Sequence, residues 1–236
     1  MSVRTRLLLA RLFERTSHWF DRARAALLEQ IPCARGCSHC CKGVFSVTIL
    51  DRVQIQQGLG GLEPEKRRSI VQRALDQTRL IEQAAPVLTR NLFIDQWADH
   101  DIDALVEQFS HLECPALLSD GSCAVYPFRP LTCRSMGIPQ AVGTTVEGAC
   151  AVQTAVPLVQ LPLFYREEEN HLLQEEANLL MHQMILEATE GEEILLPYAF
   201  LAERISEAVE EAPRQQLSDR VKVSCLADGS ACSSAG

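Results

Sequence analysis

Apolar residues recur at Leu9, Phe13, Phe20 and Leu27, at spacings of four and seven, and this stripe predicts one helix over residues 3–30. Pro32 ends it. Residues 44–50, VFSVTIL, fit a short strand or the start of the next helix. Residues 51–57 read as helix that stops at Gly58, with Gly60 and Gly61 as further breaks. Pro64 suits the first turn of a helix running to about Ala84, with Ile70, Ala74 and Ile81 on its buried face, and Pro86 closes it. Further helices are expected over 102–109, 171–190 and 197–211.

Between these helices the texture changes. Ser119-Asp120-Gly121-Ser122 is a turn signal, so residues 116–125 are expected to form a small hairpin. Pro130 opens a helical turn carrying Cys133 and ending at Gly137, and 138–150 read as an irregular ribbon around Gly143. From 214 the pattern fades into small polar residues. The prediction is a mostly α protein. A single helical domain over 1–213 surrounds a loop-rich, cysteine-lined centre with a small β-hairpin, and 214–236 form a flexible C-terminal tail.

The chain has 236 residues, 47% of them apolar, which suits a packed globular protein. Its net charge of −9 argues against a phosphate-binding surface, so no nucleic-acid partner is expected. No apolar run approaches the roughly 20 residues of a membrane span. The arginine-rich start has something of an organellar presequence, but its leucine spacing fits a first amphipathic helix better. No secretory segment stands out, so the expected location is the cytoplasm, where thiols stay reduced. No protein partner can be read from the pattern.

Eight of the ten cysteines fall into two groups. Cys33, Cys37, Cys40 and Cys41 stand in CARGCSHCC. Cys114, Cys123 and Cys133 stand in CPALLSDGSCAVYPFRPLTCR, with Cys150 beyond. Such density in a reducing compartment points to metal ligation rather than disulfides. Four thiolates hold either a structural Zn²⁺ or a [4Fe-4S] cluster, and the spacing leaves both open. Cys40 and Cys41 are adjacent and diverge, so they suit two metals, or one ligand beside a spare thiol. In a regular ladder Cys123 lies opposite Leu118 and roughly 13 Å from Cys114, too far to share a zinc unless Pro115 and Pro127 break the ladder. Arg129 and Arg134 flank Cys133 and suit the charge of about −2 of such a centre. Their alternative is ordinary carboxylate pairing. His39 is a possible nitrogen ligand, and Cys225 and Cys232 lie in the tail. Removing a ligand such as Cys37 or Cys133 is expected to cost metal and much of the fold together.

The run CARGCSHCC, then CPAL, then CAVYPFRPLTCR, resembles the YkgJ-type cysteine-cluster family, described as zinc- or iron-chelating. The resemblance covers Cys33–Cys41 and Cys114–Cys150 and implies metal binding through all eight cysteines. It implies no particular activity. The favoured reading is a metal-binding protein. The alternative is an iron–sulfur enzyme, a protein methyltransferase or an oxidoreductase, because Cys33-x3-Cys37-x2-Cys40 has the spacing of radical S-adenosylmethionine enzymes. Flagellin lysine methylases share a related cluster. The β/α units of the radical enzymes are not evident here, and no GxSxG, HExxH, P-loop or GxGxxG is present. A redox role for the Cys40-Cys41 pair is a third option.

Overall fold

A computed structural model describes residues 3–27, 37–136, 140–142, 145–147, 161–187 and 191–202. The expectations for Cys33, Cys150, the end of the first helix and the tail lie outside these residues. The described chain is mostly helical, as its periodicity predicts.

Helix α1 spans Val3–Ala26 and buries Leu9, Phe13 and Phe20, with Trp19 beside them. It packs antiparallel on α6, Leu163–Glu187. Arg15 pairs with Glu175 and Arg22 with Glu168 across the seam, and Trp19 Nε1 donates to the Tyr165 carbonyl at 2.8 Å. The exposed ion pairs set register more than stability.

Residues 44–50 prove to be both of the alternatives the pattern allowed. β1 is Ser46–Thr48, and α2, Ile49–Gly60, follows at once. Thr48 and Asp51 close a reciprocal capping box at 3.2 Å in each direction. α2 does not stop at Gly58, because Phe128 packs directly on that residue and holds it in the helix. A Cβ there would lie 2.9 Å from the Phe128 Cβ. The break falls at Gly61 instead.

α3, Pro64–Ala84, buries Ile70, Ala74, Thr78 and Ile81. Beyond a 3-10 turn at Pro86–Thr89 lies α4, Asp99–Gln108, with Asp99 and Asp101 favourably placed at its positive end. α5, Leu131–Ser135, is the short helix expected after Pro130. The expected irregular ribbon contains a regular pair instead, β2 Gln140–Val142 against β3 Thr145–Glu147.

One strand was not anticipated. β4, Glu193–Leu195, pairs antiparallel with β1, matching Val47 with Ile194. It leads into α7, Leu196–Ala199, which packs on α2 and α3. Tyr198 and Phe200 enter the core beside Leu50, Ile55, Ile70 and Ile81. Among the described residues no helix is long and apolar enough to cross a membrane.

Candidate metal centre

The two cysteine groups are joined by backbone hydrogen bonds. Residues 38–41 form a turn in which the Cys41 N–H reaches the Ser38 carbonyl at 2.9 Å. The Cys41 carbonyl then accepts from the Cys114 N–H at 2.8 Å, and the Gly43 N–H donates to Leu112 at 2.7 Å. Lys42 and Glu113 bridge between these bonds. Gly43 has φ +85°, a conformation that costs other residues roughly 1–2 kcal/mol. This short antiparallel clip brings positions 40–41 to position 114.

The second group folds back on itself. The Leu117 N–H bonds to the Cys114 carbonyl at 2.9 Å, so the chain turns at Pro115 and leaves the ladder. The hairpin that follows is tight. Ala124 N–H reaches Ala116 at 2.9 Å, and Leu118 N–H reaches Ser122 at 2.8 Å. Asp120 accepts from the Ser122 amide at 3.0 Å and its hydroxyl at 2.6 Å, and Gly121 takes φ +79°. Cys123 bridges to Leu117, one residue away from the expected Leu118. The roughly 13 Å separation required a continuous ladder, and the Pro115 turn removes that requirement.

The 3-10 turn Tyr126–Phe128 lies against α2, and α5 then carries Cys133. Asp51 anchors α5. Its Oδ1 accepts from the Leu131 N–H at 2.8 Å while Oδ2 caps α2. One buried carboxylate therefore serves two helix starts.

All six described cysteines are free thiols and half-buried as residues. Four of them lie within one another's fields. Burial raises Cys133 well above the ordinary thiol range, with Cys114, Asp51, Cys123 and Cys40 adding to it. Burial pushes Cys114 up to about 12, with Cys123 adding and Arg73 opposing. Burial raises Cys123, against the pull of Arg129. A hydrogen bond with the Cys41 thiol raises Cys40, followed by burial. Cys41 is tied to this group through its hydrogen bond with Cys40, and His39 is exposed. Among the described residues no three His, Cys, Asp or Glu side chains are gathered tightly enough to hold one metal ion. Metal binding would therefore have to draw the sulfurs together.

The two arginines behave differently. Arg129 stacks on Tyr126, 3.8 Å from the ring centre, and its buried Nε has no hydrogen-bond partner. Its charge lowers both Cys40 and Cys123. Arg134 is 4% exposed, and it donates to the Arg129 carbonyl at 3.0 Å, the Pro127 carbonyl at 2.7 Å and the Ser17 hydroxyl. It also lies 5.1 Å from the Phe13 ring. Burial lowers its pKa to about 10, with Asp51 and Cys133 opposing that fall.

Residues 32–151, just over half of the chain, match a family model named CxxCxxCC and described as "Putative zinc- or iron-chelating domain". The chain belongs to the CxxCxxCC family. No curated protein and no solved structure matches it.

The CxxCxxCC domain offers a donor set that fits its family description. Four neighbouring thiols are soft donors that zinc or iron relieves of their protons. The positive charge of Arg129 favours the ionised form of Cys40 and Cys123. Two contributors escape the sequence pattern. The pattern starts a helix at Asp51, but nothing in it links that residue to residue 131. Arg73 stands in mid-helix, and no spacing relates it to Cys114.

Proposed function

We propose that this CxxCxxCC domain holds a metal centre through Cys40, Cys114, Cys123 and Cys133, either Zn²⁺ or a [4Fe-4S] cluster. The observation that carries the proposal is the backbone clip from Cys41 to Cys114, which joins two groups more than 70 residues apart. Cys33, Cys37, Cys41 and Cys150 complete the proposed ligand set on the family motif alone. Arg129 would donate to the centre through Nε, and Arg134, its charge already met by Asp51, would back the helix that carries Cys133. The proposed setting is the reducing cytoplasm, and the role is metal binding for stability, delivery or sensing.

Anaerobic purification with metal and sulfide analysis and a visible spectrum tests this. A brown protein containing iron and sulfide selects the cluster, and a colourless one with stoichiometric zinc selects zinc. A protein purified without either metal, and unable to take one up, refutes the proposal. Cys133→Ala is expected to lose the bound metal. A full complement in that variant removes Cys133 from the ligand set.

A further inference from the structure

Helix α3 is outside both cysteine groups, yet it grips the loop that carries Cys114. Arg73 Nη1 donates to the Leu117 carbonyl at 2.7 Å, and Gln77, one turn on, donates through Nε2 to the Glu113 carbonyl at 2.6 Å. These two carbonyls bracket the Cys114-Pro115-Ala116 turn. Leu117 also bridges to Cys123 and bonds to Cys114, so Arg73 holds the residue where both cysteines are tied together. The Arg73 Nε is buried and has no hydrogen-bond partner.

The charges around the thiols do not balance while the thiols are neutral. Arg134 has a counter-charge in Asp51. Arg73 and Arg129 form no ion pair among the described residues, and each keeps a buried N–H unused. Two uncompensated guanidiniums beside four cysteines match a complex of charge about −2. That is the charge of Zn²⁺ or an oxidised four-iron cluster held by four thiolates.

We infer that Arg73 is a positioning residue of the metal centre. It splints the Cys114–Cys123 loop and supplies, with Arg129, one of two cations that neutralise a dianionic tetrathiolate complex. This rests on the proposed metal centre, and it assigns a role to a residue outside the cysteine motif.

The test measures Zn²⁺ affinity by chelator competition on the full reduced chain, for wild type, Arg73→Gln, Arg73→Lys and Gln77→Ala. Arg73→Gln is expected to bind the same number of zinc ions with ten- to hundredfold lower affinity. Arg73→Lys restores the charge and recovers part of the loss. Gln77→Ala removes only the uncharged half of the splint and loses less than Arg73→Gln. Far-UV circular dichroism confirms that each variant keeps its helices. Wild-type affinity in Arg73→Gln overturns the inference, as does an Arg73→Lys variant no better than Arg73→Gln. Failure of the wild type itself to bind Zn²⁺ overturns the metal centre, a result visible without any variant.

Discussion

Asp51 offers the sharpest test of how the cysteine loops are tied to the core. Its carboxylate is 1% exposed and accepts from the Leu131 and Thr48 amides. Burial pushes its pKa from 3.8 up to about 6, against the pull of those hydrogen bonds and of Arg134. For an acid raised on folding, the folded chain keeps a proton that the unfolded chain has released. The stability this lends is complete below about pH 4 and is lost as pH rises through about 6. Moving the pKa from 3.8 to about 6 corresponds to about 3 kcal/mol.

Asp51→Asn abolishes that titration while keeping one acceptor for Leu131. Near pH 4 the two proteins should differ by about 1 kcal/mol or less, since a protonated carboxyl also has only one good acceptor. By pH 7 the variant should be the more stable by about 3 kcal/mol. Burial also raises Glu176, to about 8, with Asp51 adding to the shift, so the gap should continue to widen above pH 6. Urea denaturation of both proteins at each pH from 4 to 8 gives the difference directly and cancels the titrations they share. A difference that stays flat between pH 4 and 7 would refute the buried-carboxylate account.

Other positions test the same frame. Gly58→Ala forces a Cβ to 2.9 Å from Phe128, and overpacking of roughly 1–3 kcal/mol should outweigh a helix-propensity gain of up to about 1 kcal/mol. A denaturation midpoint at or above wild type would show that Phe128 yields freely. Gly43→Ala strains the φ +85° residue in the clip and should cost about 1–2 kcal/mol, with weaker Zn²⁺ binding in a competition assay. Unchanged stability and binding would mean that the clip is not needed. Metal removal should expose residues 37–43 and 112–135 to amide exchange while α1, α3 and α6 stay protected. Uniform loss of protection would refute this division.

The legible parts of the chain are those whose signal is local. The α1 stripe and the Pro64-to-Ala84 helix follow from spacing alone, and the cysteines announce themselves by density. What escaped was set by contacts distant in sequence. Gly58 reads as a stop because the pattern cannot show Phe128 lying on it. β4 is three residues long inside an apolar run that favours helix, and only its pairing with β1 makes it a strand. The placement of Cys123 was off by one because Leu118 bonds to Ser122, which leaves a loop of three residues, 119–121, in place of the four that the turn signal spans. Arg73 gave no signal, since a half-buried arginine in mid-helix looks like any other.

The way the cysteine loops meet the core bears on how metal and fold are coupled. The sequence suggests that losing a ligand costs much of the fold. Among the described residues the largest fully buried side chains are Trp19, Tyr198, Phe200 and a set of leucines and isoleucines, with no cysteine among them. The loops join this core through polar attachments, namely Asp51 to Leu131, Arg134 to Ser17, and Arg73 and Gln77 to the Cys114 turn, and through apolar contacts, since Ala116, Val125 and Leu131 belong to the core and Cys114, Cys123 and Phe128 pack against it. A small zinc finger has no comparable core and unfolds without its metal. Here the apolar burial is already in place, so metal need only overcome thiol deprotonation and the ordering of the loops. Metal loss should therefore be a local event, felt at the attachments before it reaches the helices.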